Sequence, residues 1–259
     1  MTHEDFRIRY YEVGPDGALP LHTLCDYFQE TAGIDAHTLA FGAEDLQAAG
    51  GITWVVTRMQ LAPLAKATVG SILTAHTWHS FSDKLFSRRE FFIENEKKEV
   101  VLKGTSWWVV IDVKTRKLAR TPRSLLAINP SSPEHVLAEH NPKAPDFSGM
   151  KPAVALPVIV RDEDIDSNAH VNNTHFIAWA IESAPREIIG GRALKEMVVS
   201  FKHECRAKDK LVMSVYQLPA EAGGAAAFWH MLVRENDGME CARVYTRWEE
   251  KAEALKAEG

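Results

Sequence analysis

Asp166, Asn168 and His170 set a carboxylate, a carboxamide and an imidazole at alternate positions of the stretch RDEDIDSNAHVNN. In an extended backbone alternate side chains leave the same face, so this spacing predicts three polar groups converging on one point. Immediately after them, Phe176, Ile177, Ala180, Ile181 and Ala184 recur at the spacing of one apolar helix face. Asn172 or Asn173 is the expected cap, because a short polar side chain accepts a bond from an orphan amide of the first turn. The triplet is thereby expected at the positive end of a helix dipole, where an oxygen that gains negative charge is stabilised. On spacing alone, polar residues just before a helix more often serve capping and turn formation than catalysis.

The elements that must position these groups occur twice along the chain. Phe6 to Val13 reads as a strand and Gly14-Pro-Asp-Gly17 as a turn. From Leu21 to about Ala40 the residues Leu24, Tyr27, Phe28, Ala32 and Ala36 fall at helical spacing. Four strands rich in β-branched and aromatic residues follow, at Thr53 to Leu61, Val69 to His79, Leu85 to Glu94 and Val100 to Asp112. The second half repeats this order: the helix after His170, then strands at Glu196 to Cys205, Lys210 to Leu218, Ala225 to Glu235 and Glu240 to Glu249. Gln-Glu-Thr-Ala at 29 to 32 echoes Ile-Glu-Ser-Ala at 181 to 184, and Trp-Val-Val-Thr at 54 to 57 echoes Met-Val-Val-Ser at 197 to 200. A helix followed by four antiparallel strands, twice, predicts a duplicated α+β unit. Residues 1–118 form the first repeat and 154–259 the second. Residues 119–153, with six of the twelve prolines, form a linker ordered in places against the surface. The final stretch, Glu249 to Gly259, has helix formers with little to bury and is expected to fray.

Composition excludes several classes. With 46% hydrophobic and 25% charged residues, the chain of 259 residues is neither disordered nor fibrous. A net charge of -5 argues against a nucleic-acid binder. The longest apolar run, Ala153 to Val160, is interrupted by Pro157 and falls far short of a membrane helix, so no integral membrane segment is expected. The N-terminal segment is charged and has no secretion signal, and three scattered cysteines suit a reducing cytoplasm. No spacing of His and Cys suggests a metal and no glycine-rich loop suggests a nucleotide, so no cofactor is expected.

The longer string D-x-N-x-H-V-N-N, followed by an aromatic, Trp179, Glu182 and Ser183-Ala184-Pro185, resembles the signature of acyl-acyl-carrier-protein thioesterases of bacterial type. Ile8-Arg9-Tyr10-Tyr11-Glu12-Val13-Gly14, Gln29-Glu30-Thr31-Ala32, Trp54-Val-Val-Thr-Arg58-Met59 and the pattern near Trp107 are similar to the same family, so the resemblance extends over most of the sequence. It implies a double hot-dog fold, two repeats of a helix wrapped by a curled antiparallel sheet. The implied activity is hydrolysis of fatty acyl thioesters on an acyl carrier protein. The first half has no D-x-N-x-H before its helix, where Asp16-Gly-Ala-Leu-Pro20 stands, so the second repeat is expected to carry the chemistry and the first to shape the acyl pocket. Water attack on a thioester needs a base and an oxyanion donor but little acid assistance, since a thiol leaves readily. Asp166 and Glu204 are the candidate bases. Asn168 is the candidate to orient water or the carbonyl. His170 is a base, a polarising group or a holder of Asp166. The first amides near Val171, Asn172 and Asn173 are the candidate oxyanion donors. Glu204-Cys205 resembles the family's Arg-Glu-Cys, with His203 in the arginine's place. Cys205, a nucleophile in some descriptions of the family, is read as structural or pocket-lining, because a thiolate beside Glu204 is disfavoured. Trp54 is read as core or pocket wall.

Three rival functions remain at this stage. An acyl-CoA thioesterase of the same fold differs only in the handle on its substrate. A hydratase of this double fold resembles G-D-x-N-P-x-H, and here the glycine and the proline are absent. A non-catalytic acyl-thioester sensor is expected to lack the polar triplet. Chain length, the choice between carrier protein and CoA, and assembly, a homodimer among the options, do not follow from the residues.

Overall fold

The structure, a computed structural model, describes residues 1–128, 132, 134–219 and 224–251. Its first half runs β1 (Thr2–Arg7), α1 (Leu21–Thr38), α2 (Ala43–Gly50), β2 (Ile52–Pro63), β3 (Ile72–Ser82), β4 (Phe86–Asn95), β5 (Val100–Asp112), β6 (Leu118–Ala119) and α3 (Arg123–Leu126). The second half runs β7 (Val154–Ile159), α4 (Asn173–Ser183), α5 (Arg186–Gly191), β8 (Arg192–Phe201), β9 (Lys210–Gln217), β10 (Ala226–Arg234) and β11 (Glu240–Glu250). The strands form one antiparallel sheet in the order β1-β3-β4-β5-β2-β8-β11-β10-β9-β7, with β6 paired to β5. The first five and the last five are the same arrangement in mirror order, and they meet where Arg58, Met59, Gln60 and Leu61 pair with Ser200, Val199, Val198 and Met197. This is the duplicated α+β unit that the sequence repeat predicts, in the double hot-dog form that the resemblance implies.

Each long helix is held by the face its apolar spacing defines. Leu24, Tyr27, Phe28 and Ala32 of α1 are buried, and Phe28 stacks on Phe91 of β4 at 4.6 Å. Gly104 of β5 lets that ring approach, since a Cβ there would lie 2.6 Å from Phe28 Cε2. The next inward position of α1 is polar: Asp35, rather than Ala36, is buried, because Arg89 Nη1 at 2.6 Å and the Thr2 hydroxyl at 2.6 Å meet its charge. On α4, Phe176, Ile177, Trp179 and Ala180 are buried, and Phe176 sets its edge against Phe201. The two helices also pack on each other, which brings the first turn of α4 beside the middle of α1.

Several expected boundaries move. The first strand stops at Arg7, and Tyr10–Glu12 turn into a 3-10 helix because Glu12 Oε2 accepts the Arg9 amide at 2.7 Å. The strand after α4 ends at Phe201 rather than Cys205, because the Lys202 and His203 amides both turn to the Cys241 carbonyl. The apolar run holding Pro157 is the edge strand β7, a place where a missing N–H is tolerated. Short α2 and α5 carry no strong sequence signal.

The described part of the linker lies against the outer face of the sheet. The buried Glu90 carboxylate receives the Val136 amide and pairs with His135, Gln60 exchanges bonds with Ala138 and His140, and His140 reaches Glu196 at 2.9 Å. Phe147 then packs on Tyr216 in the second repeat. Residues 129–131 and 133 of the linker, and most of the stretch expected to fray (252–259), lie outside the described residues.

Candidate active site

The stretch from Ile165 to Val171 is a closed turn, not the extended run that alternate spacing predicts. Ile165 and Val171 form an isolated antiparallel bridge, the Asp166 amide donates to the His170 carbonyl at 2.8 Å, and the Ala169 amide donates to the Asp166 carbonyl at 3.0 Å. The reason is local: Asp166 Oδ1 accepts the Asn168 backbone amide at 2.8 Å, a side-chain bond that competes with extension. Ala169 is left at φ 62°, a left-handed conformation costing on the order of 1 kcal/mol in a residue with a Cβ. Asp166 and Asn168 do meet, with Asn168 Nδ2 3.4 Å from Asp166 Oδ2, but across the turn.

The first repeat contains the same turn without its chemistry. Gly14 donates to the Ala18 carbonyl at 2.9 Å, Gly17 donates to the Gly14 carbonyl at 2.9 Å, and Gly17 sits at φ 70°. Where the Val171 amide donates to the Cys205 carbonyl at 2.9 Å, the Leu19 amide donates to Ala67 at 2.8 Å. By this correspondence Ala18 stands for His170, Ala67 for Cys205 and Lys66 for Glu204. Lys66 meets Asp16 at 2.6 Å, a surface ion pair with no acid–base use.

In the second repeat the matching contact is His170 Nε2 to Glu204 Oε2, at 2.7 Å. Glu204 lies in the loop beyond β8, whose backbone Arg234 fixes by donating to the Glu204 carbonyl at 3.1 Å. Arg116, in the turn between β5 and β6, contacts the second Glu204 oxygen from the other repeat. Burial first, and then the charges of Arg116 and Arg206, hold the His170 imidazole below the ordinary histidine range, with Asp166 opposing them. A carboxylate beside Nε2 favours the neutral tautomer with its proton there, which leaves the Nδ1 lone pair as a base. The turn and the loop thus bring Asp166 to Asn168 and His170 to Glu204, and Asp166 lies near enough for its charge to act on His170.

The three expected oxyanion donors do not stand alike. The Val171 amide is spent on the Cys205 carbonyl and the Asn172 amide on the Asp164 carbonyl, because both residues still belong to the closing of the turn. The Asn173 amide is left without a backbone acceptor among the described residues. Asn172 is the cap of α4, its Oδ1 accepting the Thr174 amide at 3.2 Å and Gln29 Nε2 of α1 at 3.0 Å. Its Nδ2 is 3.4 Å from Asp26, whose carboxyl burial pushes up while Thr174, His22, His175 and Asn172 oppose it.

Cys205 and Trp54, each read as structural or as pocket wall, do not line the groove beside α2. Cys205 is fully buried in the core, and contact with the Cys241 thiol, then burial, pushes its own thiol far up, which removes it as a nucleophile. Trp54 uses its indole N–H to hold the Phe41 carbonyl at 2.9 Å, fastening the connection between α1 and α2. Beside that connection runs a groove of about 470 Å³ lined by Leu39, Phe41, Leu46, Ile52, Arg120 and Pro122. The turn and short strand after β5 join the two places: Val113 bonds Gly51 at the groove's end, Arg116 meets Glu204, and Arg120 lines the groove. Arg116, Asp164, Asp26 and Gln29 support this site without having been singled out for it. Only Gln29 left a trace, in the Gln-Glu-Thr-Ala echo.

Comparison with known proteins agrees over both repeats. Residues 1–128 match the model of the acyl-ACP thioesterase N-terminal domain, and residues 150–250 match that of the C-terminal domain. The chloroplastic palmitoyl-acyl carrier protein thioesterase of Gossypium hirsutum is 31% identical over 264 residues, covering 96% of this chain and 63% of that protein. A chloroplastic acyl-[acyl-carrier-protein] hydrolase of Cuphea viscosissima is 29% identical over 97% of this chain and 62% of its own length. The chain therefore spans somewhat over three fifths of these curated relatives, 62% and 63%. Among solved structures, a Lactobacillus plantarum protein assigned as an oleoyl thioesterase superposes with a TM-score of 0.81 at 25% identity, covering 97% of both chains. The 12:0-ACP thioesterase of Umbellularia californica shares the fold with a TM-score of 0.81 at 24% identity, over 96% of this chain and 94% of its own.

Proposed function

Since the chain belongs to the acyl-ACP thioesterase family, we propose that it hydrolyses fatty acyl-acyl-carrier-protein thioesters to free fatty acid and carrier thiol. The observation that carries this reading is the 2.7 Å contact between His170 and Glu204, present in the second repeat and replaced by Ala18 and Lys66 in the first. Glu204, with Oε2 2.7 Å from Nε2, orients the ring by its charge. His170 Nδ1 takes a proton from water as the water oxygen bonds to the thioester carbonyl carbon. The developing oxyanion is stabilised at the first turn of α4 by the Asn173 amide, a contribution of about 3 kcal/mol where such donors are well aimed. The C–S bond then breaks and the thiolate leaves, taking up the proton that His170 holds. Asp166 and Asn168 shape the turn that presents His170.

The apolar groove beside α2 supports the first repeat as the place for the acyl chain, since the space under α1 is filled by Phe28, Phe91 and Leu61. Three free, buried thiols accord with a reducing compartment such as the cytoplasm. An acyl-CoA substrate is the competing reading. Thiol release from matched acyl-carrier-protein and acyl-CoA thioesters separates them, with the carrier-protein ester expected to be the better substrate. His170→Ala and Glu204→Gln are expected to lower kcat by about 10²-fold or more. Near-normal hydrolysis in both variants, or binding of either ester without thiol release, defeats the proposal.

A further inference from the structure

We propose that Arg116 is a positioning residue through which the first repeat aims Glu204 at the catalytic histidine in the second. This rests on the reading of His170 as the base. Glu204 has two oxygens, one on His170 Nε2 and the other on the Arg116 guanidinium. A carboxylate in an exposed loop has no fixed aim of its own. Placed between a cation and an imidazole, it keeps one oxygen 2.7 Å from His170 Nε2, which favours a proton on that nitrogen.

Arg116 is delivered for this task by the backbone. It stands at φ 58° in the turn between β5 and β6, where the Arg116 amide donates to the Asp112 carbonyl at 2.9 Å and the Asp112 amide to the Lys117 carbonyl at 2.9 Å. The guanidinium also acts on His170 directly, since its charge, like that of Arg206, disfavours the imidazolium. The groups facing His170 from the elements around it are therefore Glu204 and Arg206 of its own repeat, Asp166 of its own turn, and Arg116 of the other repeat.

Arg116→Gln separates this role from others. Loss of the cation is expected to raise the His170 pKa, so the acid limb of kcat/KM moves to higher pH, and the same upward shift appears when the ring is titrated by NMR without substrate. Loosening Glu204 is expected to lower kcat about tenfold or more with little change in KM, as misaimed catalytic groups do. Arg116→Lys restores the charge and part of kcat. Lys117→Gln removes a charge from the same turn and leaves both readouts in place. An unmoved His170 titration in Arg116→Gln overturns the inference. So does a rise in KM alone that high salt abolishes, which assigns Arg116 to docking an acidic carrier. If His170→Ala itself retains activity, the reading of the base has failed, and the NMR shift still reports on Arg116.

Discussion

Two histidines show how one side-chain type is turned to different ends by its neighbours. His170 is partly exposed, meets a carboxylate at one nitrogen and cations at longer range, and is kept neutral but available. His230 is fully buried between the Ser183 hydroxyl at 2.9 Å and the Thr246 hydroxyl at 3.0 Å, and burial pushes its pKa down to about 3. The folded protein therefore refuses a proton that the unfolded chain takes up near pH 6.5. Stability from this residue is fully present above about pH 6.5 and is lost as pH falls toward 3, by up to ~1.4 kcal/mol per pH unit. His230→Gln keeps two hydrogen-bonding groups without the titration, so the urea midpoint should fall less between pH 7 and pH 5 than in the parent. Equal falls in the two proteins discount His230 as the source.

At the scale of elements, the duplicated turn before each long helix explains why one repeat is equipped and the other is not. Both turns close with the same backbone bonds, and the side chains alone differ: Gly14, Asp16 and Ala18 against Asp166, Asn168 and His170. What the first repeat contributes is a rigid α1, whose Gln29 and Asp26 hold the Asn172 cap of α4. That placement depends on Gly104, where an added methyl would lie 2.6 Å from Phe28 Cε2 and 3.2 Å from Leu61 Cδ2. Gly104→Ala is expected to destabilise by about 1–3 kcal/mol in urea unfolding with the slope unchanged. The same shift of α1 should disturb the cap of α4 and slow hydrolysis. A midpoint equal to the parent's shows that Phe28 relaxes freely and that the fit of α1 is looser than described.

For the molecule as a whole, the pairing of β2 with β8 and the linker laid across the outer face join the two repeats, beside the packing of α1 on α4. The linker's anchor is the buried Glu90, which accepts from Ser80 at 3.0 Å, Thr105 at 2.7 Å and Val136 at 3.3 Å, and has Arg88 Nε 2.7 Å away. That arginine contact is an ion pair rather than a hydrogen bond, because Nε is off-line for donation. Glu90→Ala leaves Arg88 buried without its counter-charge, a loss of about 3–5 kcal/mol where such pairs are broken from one side. It also frees residues 134–140. Thermal unfolding should fall accordingly, and limited proteolysis should cut that stretch faster than in the parent. Unchanged cutting shows that Gln60 and Glu196 suffice to hold it.

The repeat, the two long helices and most strands were legible from residues 1–259 because local spacing and turn chemistry fix them: β5 runs from Val100 to Asp112 as predicted, and Asn172 caps α4 as one of two expected residues. The triplet was legible as chemistry but not as geometry. Its alternate spacing suggested a strand, and the Asp166–Asn168 bond, a competition within three residues, made it a turn instead. Glu204 was placed by likeness to a family pattern, whereas its partner Arg116 was invisible, because 88 positions separate them and nothing in the type or spacing of a turn arginine marks it. Which amides are free at α4, and that Cys205 is core, likewise depend on carbonyls and thiols brought from elsewhere in the chain. Periodicity is a property of neighbours in sequence, while charge and hydrogen-bond satisfaction depend on neighbours in space, and for this protein only the continuous double sheet and its packed helices decided those.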